Sequence, residues 1–231
     1  MIKNRQEFFK NAKIMLEGIV ETIDNLNSMN FSDLNPKDTM LTIIDVNNGF
    51  ARIGDIHSPN VEKLIPEIVK ITEACLDKGI RVVAYTDCHN ENATEFKNYA
   101  KHCIKGSKET ELVDELKAFE DKILVLNKNS TNGFISNNAF EKLKEVDPNF
   151  EIPKNHIIIG CVTDICVYQY TISLKAFINE HNIDSRIIIP TNGVDTFDIP
   201  KIHDADFCNI VFLNSLIANG VDVVKNINLE L

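Results

Sequence analysis

The sequence predicts an α/β protein: a doubly wound, mostly parallel six-stranded sheet with helices on both faces, preceded by a helical extension. Three observations point there. Short β-branched runs recur from residue 40 onward, helical patterns separate them, and the runs are apolar throughout rather than alternating. Strands of that kind are buried on both faces, which is how a parallel sheet covered by helices reads. Composition agrees: 231 residues, 44% hydrophobic and 25% charged, with 9 Gly and 7 Pro, exclude collagen-like and disordered chains. The length suits one main domain.

Taken in order, residues 5–28 place Phe8, Ala12, Met15, Ile19, Ile23 and Leu26 at spacings of three and four, the apolar stripe of an amphipathic helix. Such a stripe packs either on its own domain or on a second copy, so a homo-oligomer is expected. The polar stretch 30–37, with Pro36, reads as a connection. It divides an extension over residues 1–38 from a main domain over 39–231. Strands are expected at 41–44, 81–85, 122–126, 156–159 and 186–189, with 221–224 as a sixth. The intervening helices are expected at 61–78, 110–119, 139–146, 163–178 and 205–219.

A net charge of −10 opposes phosphate backbones and anionic lipid surfaces, so neither nucleic acid nor membrane is an expected partner. No apolar run approaches the roughly 18 residues of a membrane span, and the start, Met1-Ile2-Lys3-Asn4-Arg5, has no signal-peptide core. A cytoplasmic protein is expected. Six cysteines without a CxxC pair or a dense framework read as thiols.

In doubly wound sheets the working residues gather at the carboxyl ends of the strands. Strand one ends in Asp45, a position equally suited to a general base, a ligand or a helix cap. Strand two runs out through Asp87-Cys88-His89; positions i and i+2 of an extended segment share a side, so Asp87 and His89 converge as a divalent-metal pair. His102 or Cys103 offers a third ligand, against the alternative of surface-loop histidines. Strand three leads into Lys128, solvated unless it pairs with Asp45. Strand four breaks at Gly160 and a helix begins within a few residues, placing Cys166 in its first turn. Free N–H groups and the helix dipole there favour a thiolate and can receive an oxyanion. Asp45 with Lys128 also permits a phosphoacceptor reading, which leaves Cys166 unexplained.

With Asp45, Lys128 and Cys166 at three strand ends, the chain resembles the isochorismatase-like cysteine hydrolases. Ile44-Asp45-Val46-Asn47-Asn48-Gly49-Phe50 is similar to the family's I-D-x-Q-N-D-F. Gly160-Cys161-Val162-Thr163-Asp164-Ile165-Cys166-Val167 is similar to its G-x-x-T-D-x-C-V. Asp87-Cys88-His89 and His102-Cys103-Ile104-Lys105-Gly106-Ser107 resemble the D-W-H and H-C-V-x-G-T motifs of the nicotinamidases within that superfamily. The resemblance implies a catalytic triad of Asp45, Lys128 and Cys166. It further implies an oxyanion hole from the N–H groups of Val162 and Cys166 beside a cis Cys161–Val162 peptide, and metal ligation by Asp87, His89 and His102. By ligand type the metal is Zn, with Fe or Mn as alternatives. Phe50 and Tyr99 would stack on a pyridine ring, Tyr99 standing where the family usually has Trp. The implied activity is hydrolysis of a small amide, with nicotinamide leading, another amide or carbamoyl compound next, and a non-catalytic metal-binding relative as the reading outside enzymes. The sequence departs from the pattern at Asn47 and Gly49, where the family has Gln and Asp. After His89, Asn90-Glu91-Asn92-Ala93-Thr94-Glu95-Phe96 stands where the nicotinamidases have H-P-x-x-H-x-S-F.

Overall fold

The computed structural model of the chain describes residues 2–136 and 139–229. Six parallel strands form the main sheet: β1 (Thr39–Ile44), β2 (Arg81–Asp87), β3 (Leu124–Lys128), β4 (Asn155–Cys161), β5 (Arg186–Pro190) and β6 (Asp222–Val224). Their spatial order is β3-β2-β1-β4-β5-β6, and a two-residue strand, Val194–Asp195, pairs with the end of β4 as a seventh member. The chain moves outward in one direction from β1 and in the other from β4. The crevice beyond their carboxyl ends is therefore the topological switch point where such sheets bind ligands.

Every residue of β1 is buried, and successive side chains feed opposite faces. Leu41 and Ile43 pack with Ile65, Ile68 and Ile71 of the helix α2 (Pro59–Asp77). Met40 and Ile44 join Tyr170, Leu174 and Ile178 of a helix over Tyr168–Glu180 on the other face. These inward isoleucines and leucines each stabilise the fold by about 1.5–3 kcal/mol through removal from water. Ser58 accepts from the Asn60 N–H and Pro59 opens α2, the expected start signals for a helix. A helix over Ala139–Val146 lies where the period-3.6 pattern places it.

Four details depart from the sequence expectations. The third strand begins and ends two residues later than 122–126, which brings Lys128 into the sheet opposite Asp87. The helix expected over 110–119 shrinks to one turn, Asp114–Lys117. A bridge between Asn47 and Leu112, with the Val113 N–H donating to Val46 O, holds the preceding residues extended. The connection over 30–37 is not merely polar: two 3₁₀ turns drive Phe31 and Leu34 into the core, and Met29–Asn30 pairs in parallel with Ile227–Asn228. The N-terminal helix α1 (Arg5–Asp24) forms, but Phe8 and Met15 point to solvent and Leu16 takes the inward place. Among the described residues no helix is long and apolar enough to cross a membrane.

Candidate active site

The site is built at the ends of β1, β2, β3 and β4. Asp45, the first residue after β1, adopts a left-handed φ of 54°, which costs a non-glycine residue about 1–3 kcal/mol and is tolerated chiefly where function fixes the backbone. Its N–H donates to Tyr85 O at 2.8 Å. Gly160 faces it from β4 with φ +119°, and a Cβ there would lie 2.1 Å from Ile44 O. Only glycine lets the two central strands approach so closely beside the site.

Lys128, expected at the strand's mouth and solvated unless paired, is fully paired and 1% exposed. Its Nζ lies 2.7 Å from Asp45 Oδ2, makes a short contact with Asp87 Oδ1, and donates to Cys166 Sγ at 3.8 Å. Burial disfavours the ammonium, yet Asp45 and Asp87 outweigh it and hold Lys128 well above its ordinary value. Burial also works against the Asp87 carboxylate, where Lys128 and the two neighbouring histidines win and hold it below the usual range.

Asp45 behaves differently. Burial, then the Asp87 charge, push its carboxyl up to about 7 in spite of Lys128. Apart from the Lys128 ion pair, neither of its oxygens makes a hydrogen bond. Cys166 sits in a π turn over Thr163–Val167 that precedes the helix at Tyr168–Glu180. Burial pushes its thiol well above the ordinary value, with Lys128 pulling the other way. The resting nucleophile is therefore a thiol. Complete burial outweighs the helix-end stabilisation of a thiolate that the sequence suggests. Ligand atoms of Asp45, Asp87 and Cys166 lie within 4.8 Å of one another, so a base titrating near neutrality stands within reach of the thiol proton.

Asp87 joins this cluster to a second one. Its Oδ2 lies 3.4 Å from His89 Nε2 and 3.5 Å from His102 Nε2, and the two Nε2 atoms are 3.1 Å apart. The third partner is thus His102; Cys103, the other candidate, turns its Sγ to Asn47 Nδ2 at 3.1 Å. Glu95 is a fourth member that the sequence reading missed, its Oε1 3.8 Å from His89 Nε2. Donors bound about 2.0–2.2 Å from a tetrahedral metal lie about 3.3–3.6 Å apart, so the four residues fit a divalent cation. The His102 Nδ1–H donates to Ala100 O at 2.8 Å, leaving the Nε2 lone pair on the cluster side. Phe96 and Phe50 set ring edges against these imidazoles at 5.2–5.6 Å.

The pocket above Cys166 has a volume of about 360 Å³. Phe50, Tyr99, Ile165 and Phe197 give it apolar walls, and Asp87, Glu95, His102, Val162 and Cys166 lie on its lining. Asp55 and Asp198 add acid, and among the described residues no Lys or Arg lines it. The Cys161–Val162 peptide is cis, as the resemblance implies. His203 Nδ1 lies 2.9 Å from Phe197 O and its Nε2 lies 2.9 Å from Asp164 Oδ2. Its ring stacks on Phe197 at 3.9 Å, so this wall is tied to the turn that carries Cys166. The departures at Asn47 and Gly49 lie against Cys103 and Glu109. Asn47 Nδ2 donates to Glu109 O at 2.6 Å, and a Cβ on Gly49 would meet Cys103 Sγ at 2.5 Å.

The isochorismatase domain matches residues 39–219. Nicotinamidase 1 of Arabidopsis thaliana is 29% identical over 218 residues, covering 82% of this chain and 86% of that one. A zinc complex of the pyrazinamidase of Pyrococcus horikoshii shares the fold with a TM-score of 0.66 at 19% identity, covering 81% of this chain and 99% of that one. N-carbamoylsarcosine amidase from Thermoplasma acidophilum does so with a TM-score of 0.65 at 21% identity, covering 81% and 96%. With the domain matching across most of its length and Asp45, Lys128 and Cys166 meeting at the switch point, the chain belongs to the isochorismatase family.

Proposed function

We propose that this chain is a metal-dependent cysteine amidohydrolase that converts nicotinamide and water to nicotinate and ammonia. The observation that carries the reading is the convergence of Asp45 and Lys128 on Cys166, which lies on the lining of a pocket with aromatic walls. The similarity to a nicotinamidase along most of both chains supports it.

Asp45 takes the Cys166 proton and the sulfur attacks the carboxamide carbon. Lys128 holds the two charges in place throughout. The N–H groups of Val162 and Cys166 receive the oxyanion. Ammonia leaves after protonation by Asp45, a thioester remains on Cys166, and Asp45 then activates the water that releases the acid. Phe50 and Tyr99 stack on the ring. A divalent cation, zinc or else iron or manganese, held by Asp87, His89, His102 and Glu95, would supply a Lewis-acid contact for the ring nitrogen. Six free thiols suit a reducing, cytoplasmic setting.

The second reading keeps the chemistry and changes the substrate to a carbamoyl compound such as N-carbamoylsarcosine. That substrate carries a carboxylate, and Asp55 and Asp198, the lining acids outside the metal cluster, disfavour it with no Lys or Arg among the described residues of the lining to receive it. A non-catalytic relative has no need of a buried Lys128 beside Cys166. The test is ammonia release by zinc-, iron- or manganese-loaded protein from nicotinamide, pyrazinamide and N-carbamoylsarcosine. Release from the first two alone is expected; release from the carboxylate alone would move the assignment to the second reading, and release from none would end it.

A further inference from the structure

None of the twenty residues of α1 is buried. Its packing partner is the helix over Ala205–Ala218, against which only a narrow inward stripe is half-covered. On its flank, Phe9 is 56% and Val20 40% exposed, and with Leu16 they line a groove of about 680 Å³ rimmed by Lys13 and Glu17. Most of a helix's stability in a protein comes from the packing of its apolar face rather than from propensity. The first turns of α1, with no buried contact, therefore lack the cover that holds helices in place elsewhere in this fold.

The charges say what the cover is. Apart from Glu7, the first half of α1 is basic (Arg5, Lys10, Lys13) and the second half is acidic (Glu17, Glu21, Asp24). A second copy laid antiparallel seats each basic half on the other's acidic half. In the same register it sets Phe9 over Val20 at both ends of a two-fold contact, and on either side of the axis it sets Lys13 beside the other copy's Glu17, where along one helix the two already lie 3.7 Å apart. A parallel copy sets like charge on like. We infer that α1 is the self-association surface of this protein, pairing antiparallel with α1 of a second copy. The helix is about 30 Å long. Alone it buries less than the roughly 800 Å² per partner of a standard interface, so the dimer is weak and grows with concentration. This surface lies outside the pocket and does not depend on the proposed substrate.

The test is sedimentation of the full-length protein over a rising concentration series. The wild type is expected to pass from monomer to dimer within the micromolar range, and Phe9→Asp, at an exposed position, to stay monomeric with an unchanged circular-dichroism spectrum and melting temperature. Lys13→Glu and Glu17→Lys are each expected to weaken the dimer at least tenfold. An equimolar mixture of the two is expected to restore it, because each substituted position then meets its opposite charge across the axis. A wild type that stays monomeric throughout, a dimer untouched by Phe9→Asp, or a mixture that fails to recover would each overturn the inference.

Discussion

The two ends of β4 treat buried ionisable groups in opposite ways. Beyond its carboxyl end, Cys166 lies against Lys128, whose ammonium pairs with both Asp45 and Asp87. Near its amino end His156, fully buried, packs beside Phe140, and neither ring nitrogen makes a hydrogen bond. Burial pushes that imidazole down to about 4. One end spends its polarity on a network that holds two carboxylates, an ammonium and a thiol in place. At the other, a neutral imidazole serves as core filling. A buried polar group reports function when its neighbours are arranged around its charge, and burial alone does not.

The largest effect that breaks this contrast is expected from Lys128→Met. It leaves Asp45 and Asp87 buried together without a cation, so denaturant unfolding should register a loss of about 3–5 kcal/mol. Ammonia release should fall with it, since the Asp45 carboxyl then rises further and loses its match to the thiol.

The pH profile comes next. Asp45 must be ionised to accept the thiol proton and its carboxyl lies at about 7. Turnover per substrate bound should therefore fall about tenfold for each pH unit below 7 and level off above it. A rate flat from pH 5 to 8 would remove Asp45 as the base.

Glu95→Gln sharpens the other half of the network. It keeps the size of the side chain and removes its charge from the metal cluster. Metal content after dialysis, read by elemental analysis, should show affinity weakened at least as much as the 10–100-fold typical of an outer-shell change. An unaltered affinity would return Glu95 to a structural role through its Oε2 bond to the Thr131 N–H.

The smallest expected change is at the quiet end. The folded His156 value of about 4 lies below the ordinary 6.5, so between those values the unfolded chain binds the extra proton. Stability from this group is complete above pH 6.5 and is lost as pH falls toward 4, by at most about 3 kcal/mol. His156→Leu should flatten that part of a urea-unfolding series. At pH 7 it should stabilise the protein by about 1–3 kcal/mol, because two unpaired polar atoms leave the core.

Much of this was legible in the sequence because it rests on local order. The apolar runs placed β1, β2, β4 and β5, and strand ends placed Asp45, Asp87 and Cys166 at one edge. What escaped depends on partners far along the chain. Glu95 reaches the metal cluster only because a 3₁₀ turn over Thr94–Lys97 folds back on His89; the one signal was a carboxylate six residues after that histidine. Lys128 enters the sheet through its register with Asp87, which no local pattern records. His203 acts through Asp164, 39 residues away. The short helix at Asp114–Lys117 lost its expected length to the long-range bridge at Leu112, a tertiary contact overriding propensity.

The central claim is that Cys166 carries the acyl group of an aromatic carboxamide. Metal-loaded protein should be mixed with nicotinamide, quenched in acid during turnover, and its peptides read by mass spectrometry. The expected result is a nicotinoyl adduct on the peptide containing Cys166, absent from Cys166→Ala, which also releases no ammonia. Ammonia released by Cys166→Ala at the wild-type rate, with no adduct on either protein, would contradict the account.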